Sequence, residues 1–302
     1  MSNSEFPNLI SVNLHITPAC NYGYKFCFAH FASSKNLLRF NDWSKIIQLL
    51  KNHGTRKVAF VGGEPLLHPD LPKLLEFSHN LGFTTTIVTN GSLITEQFLF
   101  DNHSFIDWIG FSIDASSDSI ERSLGRTTKS SNTTHNHIEH ILSLLPDLTR
   151  YGINIKVNSV ITSLNFTDDM HKIIAKIDPK RWKIFQMLPI EGENDDFSSQ
   201  LEITAEQFQF FINNHKDLQP IAESNDAMTG SYVMVNPSGR FFDNTAGQLF
   251  QSRPILDVGL LPAFHDITFS FSKLLSRGGL YQWETVPLQT GFIPFSEAKS
   301  ND

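Results

Sequence analysis

Two hydrophobic rhythms alternate along this chain. Short runs with apolar residues at every second position give way to longer runs with apolar residues three and four apart. The first rhythm predicts strands at Ile10–Ile16, Lys57–Val61, Thr84–Thr89, Trp108–Ile113, Ile153–Ile161 and Trp182–Leu188. The second predicts helices over Asp42–Asn52, Leu71–Leu81, Thr95–Phe100, Asn136–Arg150, Thr167–Ile177 and Thr204–Asn214. Trp43, Ile46, Ile47, Leu49 and Leu50 form the apolar stripe of the first helix, and Asn41 stands where a cap is expected. Strand–helix alternation implies parallel strands covered by helices.

The strand faces narrow the architecture. Val12, Leu14 and Ile16 share one face of the first strand, and Asn13 and His15 share the other. Ile153, Ile155 and Val157 oppose Asn154, Lys156 and Asn158. Gly110, Ser112 and Asp114 share a face of the fourth strand, as do Arg181 and Lys183 at the start of the sixth. Strands of an open doubly wound sheet are apolar on both faces. Strands apolar outside and polar inside fit a barrel with a ligand-filled interior. The expected fold is therefore α/β, a partial (β/α)6 TIM-like barrel. The rhythm weakens after Pro220, which predicts a barrel over 1–220 and a C-terminal extension over 221–302 packed on it.

Composition excludes several classes. The 302 residues are 40% hydrophobic and 18% charged, as in ordinary globular protein. A formal charge of −7 argues against direct binding to nucleic acid or to an anionic membrane, both of which ask for a basic surface. No apolar run approaches the roughly 20 residues of a membrane span. MSNSEFPNLI lacks a basic segment followed by an apolar one, so no leader is expected. Two cysteines make no disulfide framework, which points to a reducing cytoplasm.

Those two cysteines carry the sharpest chemical signal. Cys20 and Cys27 lie in CNYGYKFCF, just after the first strand, at the spacing C-x3-Y-x2-C. With cysteine in place of Tyr24 this would be C-x3-C-x2-C, the iron–sulfur motif of radical SAM enzymes. There, three thiolates hold a 4Fe–4S cluster and one iron is left open for S-adenosylmethionine (SAM). Two buried structural cysteines, or a zinc site with His30, are the alternatives. Val61-Gly62-Gly63-Glu64-Pro65 follows the second strand, where glycines let backbone approach a ligand and Glu64 can pair with an ammonium. Asn90-Gly91-Ser92 ends the third strand, Ser112 and Asp114 close the fourth, and Gly125-Arg126 follows. Singly these are turns; together they mark the end of a barrel where sites are built.

A second group is cationic. Lys57, Lys156, Arg181 and Lys183 fall on the polar faces of strands. Any one alone reads as a surface lysine or arginine. Converging inside a barrel, they need an anion, and a triphosphate suits them. Asn13 and Asn158 would add neutral hydrogen bonds.

These segments together resemble the viperin family of radical SAM nucleotide dehydratases, including its prokaryotic members. The resemblance runs through SVNLHITPACNY, FVGGEP, TNGSLI, KVNSVI, RWKIFQMLPIEGEN, ESNDAM, SYVMV, ILDVG and RGGLYQW. It implies a 4Fe–4S cluster on Cys20 and Cys27, with Tyr24 at the position of the third cysteine. It implies SAM contacts from Gly63, Glu64, Asn90, Ser112 and Arg126. It places a ribonucleoside triphosphate among Asn13, Lys57, Lys156, Asn158, Arg181, Lys183 and Tyr232. The implied reaction begins with a 5′-deoxyadenosyl radical that takes the 4′ hydrogen of the nucleotide. Loss of the 3′ hydroxyl as water and a one-electron reduction then give a chain-terminating 3′-deoxy-3′,4′-didehydro nucleotide, in antiviral (phage) defence. An electron donor of flavodoxin or ferredoxin type is implied, and the membrane helix of vertebrate members is not expected. Tyr24 departs from the pattern, so a catalytically impaired protein and a nucleotide- or SAM-binding sensor stand beside the active dehydratase.

Overall fold

In the first strand–helix units of the chain, each apolar stripe finds a partner layer. The computed structural model describes residues 9–31, 37–128 and 136–283. Six strands run parallel in chain order: β1 (Ser11–His15), β2 (Lys57–Val61), β3 (Thr84–Thr89), β4 (Trp108–Ser112), β5 (Asn154–Ile161) and β6 (Arg181–Gln186). Helices α1 (Phe40–Asn52), α2 (Leu71–Asn80), α3 (Glu96–Asn102), α4 (Asp118–Ser123) and α5 (His137–Arg150) fall between the strands, and α6 (His171–Ile177) follows β5. In α1, Trp43, Ile46, Ile47 and Leu50 are fully buried, a stripe at helical spacing laid on the sheet. Val12 and Leu14 of β1, and Ile16 just after it, join it within one large core. Asn13 and His15, on the opposite face, line a cavity with side chains from β2 to β6. The sheet is therefore wrapped around that cavity, as the polar strand faces predicted.

Asn41 is not the cap of α1. The helix begins at Phe40, and the Phe40 amide donates to Asp70 Oδ2 at 3.2 Å. A carboxylate from the next loop thus serves the helix start in place of a local side chain.

The C-terminal part continues the sheet at both edges. β7 (Ile221–Glu223) pairs parallel with β6, and β8 (Met234–Val235) pairs parallel with β1. β9 (Arg240–Asp243) and β10 (Phe250–Pro254) follow antiparallel, completing ten strands. Residues 284–302 of the expected extension, and the start of the N-terminal segment, lie outside the described residues. No described helix is long and apolar enough to cross a membrane.

Candidate active site

The cysteine loop leaves β1 and is zipped to the glycine turn after β2. Gly63 donates to the Thr17 carbonyl and Glu64 to the Ala19 carbonyl, each at 2.7 Å. A Cβ on Gly63 would sit 2.3 Å from the Ala19 oxygen, so only glycine permits this approach. Glu64 is fully buried, and accepts from Thr89 Oγ1 at 2.7 Å, the Asn90 amide at 2.9 Å and the Leu66 amide at 3.1 Å. Burial pushes its carboxyl up to about 7. Asn90 in turn donates to Asn21 at 2.9 Å, and Asn21 donates to Ser92 Oγ at 2.8 Å. The three loops predicted to meet are thus cross-linked by side chains.

Within the cysteine loop, the Tyr24 hydroxyl lies 3.9 Å from Cys20 Sγ. Its ring stacks on Phe26 and lies beneath the Arg126 guanidinium. Burial holds the phenol well above its usual range, with Arg126 only partly opposing, so Tyr24 stays protonated at neutral pH. Burial also raises the Cys27 thiol to about 11. The far end of the loop is stapled from the segment after β6. The His30 and Phe31 amides donate to Glu193 Oε2 at 2.7 and 3.3 Å, and Asn194 donates to the Phe26 carbonyl at 3.3 Å. His30 Nδ1 faces the Glu193 carbonyl at 2.8 Å. Among the described residues no histidine or carboxylate completes a close three-ligand group with the two cysteines.

Arg126 is the charged centre of this end. It is ion-paired with Asp114 and lies 3.5 Å from Glu121. Glu121 also accepts from the Asp114 and Ala115 amides at 2.7 and 2.8 Å. The buried Nη1 of Arg126 has no partner among the described residues, and the residue lines the cavity, so a donor remains for a ligand.

The other end is cationic. Lys156 crosses the sheet over Gly110, where a Cβ would meet its Cε at 2.9 Å. Lys183 pairs with Glu223 and donates to Tyr232 at 2.7 Å. Arg277 meets the same carboxylate at 3.3 Å and stacks 3.6 Å from the Tyr232 ring centre. Burial lowers Lys156 to about 8, and lowers Lys183 to about 7 despite the pull of Glu223. Burial alone would raise Glu223, but Lys183 and Arg277 more than offset it. Cations therefore outnumber their carboxylate in a dry place, the electrostatic condition of an anion site.

Eleven of the predicted residues line one cavity of about 290 Å³: Asn13, Tyr24, Cys27, Gly63, Asn90, Ser112, Arg126, Lys156, Asn158, Lys183 and Tyr232. Cys20, Glu64, Lys57 and Arg181 are not on its wall. Lys57 instead donates to the Tyr281 hydroxyl and sits among the rings of Tyr281, Trp283 and Trp108, at 4.6, 5.3 and 5.9 Å. Arg181 donates to the Gly278 carbonyl at 2.6 Å and stacks on Tyr281 at 4.0 Å. Glu193, Asn194, Glu223, Arg277 and Tyr281 went unassigned in the sequence. They fall in segments already singled out there (EGEN, ESNDAM, RGGLYQW), but no periodicity says what they touch.

A curved parallel sheet with a cysteine loop after β1 and a glycine turn after β2 defines a class. The Radical SAM superfamily pattern matches residues 14–177. Native anSMEcpe with bound AdoMet superposes with a TM-score of 0.64 at 16% identity, covering 84% of this chain and 80% of that one. A Flammeovirga pacifica protein named S-adenosylmethionine-dependent nucleotide dehydratase is 38% identical, covering 91% of this chain and 96% of that one. One of that name from Lacinutrix mariniflava is 40% identical, but this chain spans 59% of its length. An Oncorhynchus mykiss relative is 33% identical over 92% of this chain and 82% of its own. The chain belongs to the radical SAM superfamily and, within it, to the viperin-like nucleotide dehydratase family.

That membership implies a 4Fe–4S cluster and SAM. The donor set fits them unequally. The unpartnered Arg126 Nη1 and the glycine turn suit SAM. For the cluster the loop offers two thiols and one protonated, half-buried phenol, which is not a three-thiolate set.

Proposed function

We propose that this chain is a SAM-dependent nucleotide dehydratase acting on a ribonucleoside triphosphate. The observation that carries this is the shared chamber: the loop ends that suit SAM and the two lysines that suit phosphate, buried Lys183 and half-buried Lys156, face one cavity. In the family, the cluster supplies the electron that cleaves SAM. The remaining roles belong to this chain's own residues.

Arg126, Asn90, Ser112 and the backbone at Gly63 contact SAM. Glu64 positions the turn through the hydrogen bonds it accepts from Thr89, Asn90 and Leu66. Lys156 and Lys183 hold phosphate oxygens, with Asn13, Asn158 and Tyr232 beside them. Lys57 and Arg181 lie off the cavity wall, where they hold the C-terminal segment. Residues 1–220 supply the SAM end, and the part from 221 supplies Glu223, Tyr232 and Arg277 to the phosphate end. Cys20 and Cys27 would be two of the cluster ligands. An electron donor of flavodoxin or ferredoxin type, a cytoplasmic setting and a role in antiviral defence complete the reading. The acidic surface makes a small polyanion, rather than nucleic acid, the partner.

Binding tests it without any cluster. The apo chain should bind a ribonucleoside triphosphate, compete it with inorganic tripolyphosphate, and lose about tenfold or more in affinity on Lys156→Met, as for a lost charged hydrogen bond. Absence of saturable triphosphate binding would overturn the reading.

A further inference from the structure

His15 ends β1 inside the chamber and has no part in the functions assigned above. Its side chain is buried, at 5% exposure, and it lines the cavity together with Asn13. Its Nδ1 has no hydrogen-bond partner among the described residues. Three phenylalanine rings surround the imidazole edge to face: Phe31 at 5.0 Å, Phe242 at 5.2 Å and Phe28 at 6.4 Å. Phe31 holds this contact with φ at +50°, a region that bulky residues seldom enter.

A buried imidazole nitrogen with no partner among the described residues, set in an aromatic cage, is costly for stability. A fourth aromatic or a leucine would fill the same space without that cost. The ring therefore makes sense when a ligand completes its hydrogen bonding. Burial lowers its pKa to about 3, so it meets that ligand as a neutral imidazole, one donor and one acceptor. Such a group suits a hydroxyl and gives no advantage with a phosphate.

Its place in the chamber says whose hydroxyl. Asn13, two residues earlier on the same strand face, pairs in register with Met234 of β8. Tyr232, two residues before Met234, carries Lys183. On the other side His15 pairs in register with Val61, next to the glycine turn, and touches Phe28, next to Cys27. His15 thus stands between the phosphate end and the cysteine loop, one step beyond the phosphates.

We propose that His15 is a specificity-determining residue that hydrogen-bonds a ribose hydroxyl of the nucleoside triphosphate and so selects ribo- over deoxynucleotides. This rests on the function proposed above.

The test is equilibrium binding by the apo protein, which needs no cluster. A ribonucleoside triphosphate, its 2′-deoxy and 3′-deoxy counterparts, and SAM would each be titrated into the natural chain and into His15→Phe. The natural chain should bind the ribonucleotide about tenfold more tightly than at least one deoxy counterpart, the worth of one hydrogen bond. His15→Phe should abolish that preference by weakening the ribonucleotide alone. It should leave SAM and tripolyphosphate binding unchanged and should not lower the thermal midpoint. His15→Gln, which keeps a donor and an acceptor, should restore part of the preference. An unchanged preference in His15→Phe, or a selective loss of SAM binding, would overturn the inference while leaving the proposed function intact. No triphosphate binding by the natural chain would overturn both.

Discussion

The Arg126 guanidinium lies 4.4 Å from the centre of the Tyr24 ring, with Phe26 stacked on the ring at 5.9 Å. A neutral aromatic ring thus faces an arginine whose Nη1 has no partner among the described residues and which lines the chamber. A cation over a desolvated ring gains roughly 1–2 kcal/mol. The phenol is built into the site and does not merely fill a gap left by a thiol. Two consequences oppose each other: the ring steadies the loop, and it takes the space of a third cluster ligand.

Tyr24→Cys should separate them. Removing a half-buried aromatic costs part of the roughly 3 kcal/mol of a fully buried one, so the apo variant should unfold at lower denaturant than the natural chain. After anaerobic reconstitution the order should reverse in iron chemistry: the variant should retain iron and sulfide and cleave SAM, and the natural chain should do so weakly. Equal iron content in both would mean that two thiolates and an outside ligand suffice here.

Glu223 carries the second prediction. It is the buried carboxylate shared by Lys183, Arg277 and Tyr232. Glu223→Gln leaves those cations facing each other, and breaking a buried pair in this way costs about 3 kcal/mol. An anion can take the place of the lost carboxylate. Thermal denaturation with and without tripolyphosphate should therefore show a larger ligand-induced rise in the variant than in the natural chain. Equal rises would place the phosphate subsite elsewhere.

The lysines give a pH dependence with a definite sign. Lys156 and Lys183 titrate near 8 and 7 in the folded chain, against about 10.4 for lysine in an unfolded one. Between those values the unfolded chain binds more protons, so stability without ligand rises with pH. It is lowest below about pH 7, where both lysines are charged inside the fold. Phosphate reverses the preference by favouring the charged lysines. Triphosphate affinity should fall between pH 7 and 9, and binding there should take up protons. Calorimetry in buffers of different ionisation enthalpy measures that uptake; a flat profile would remove the two lysines from the phosphate contact.

The outline of the barrel was legible because strand and helix carry different periods. Lys156 and Asn158 could be placed inside because they alternate with Ile155 and Val157 on β5. The partners of those cations were not legible. Glu223 lies 40 residues beyond Lys183 and reaches it through a strand added at the sheet's edge. Tyr281 comes from nearer the chain's end still and closes over Lys57 and Arg181. Contacts of that sequence separation leave no trace in periodicity. Glu64 shows the opposite limit. The residue and its turn were identified, but its carboxylate was expected to face a ligand and instead meets Thr89, Asn90 and Leu66. Sequence pattern fixes which face a strand residue takes, but a loop carboxylate can turn either way.

Two glycines should respond differently to the same alanine, which tests whether the chamber is built by backbone or by side chain. At Gly63 the new methyl would lie 2.3 Å from the Ala19 carbonyl oxygen and 2.6 Å from that of Pro18. Both are backbone atoms of the segment leading into the cysteine loop, and the Gly63 amide is bonded there as well. The contact cannot be relieved without separating the two loops, so Gly63→Ala should cost several kcal/mol, in the range of severe overpacking. SAM binding should be lost with it. At Gly110 the nearest atom is Lys156 Cε at 2.9 Å, the far end of a flexible side chain, and Val88 Cγ2 follows at 3.4 Å. Gly110→Ala should therefore be tolerated to within about 1 kcal/mol, and the added β-propensity offsets part of that. Its effect should appear in binding: Lys156 must swing off the sheet, and triphosphate affinity should drop about tenfold with SAM affinity unchanged. Denaturant unfolding and paired titrations of both variants measure all four quantities. If Gly110→Ala weakened SAM and triphosphate equally, the division of the chamber into two ends would fail, because a displaced lysine acts only where its charge is used.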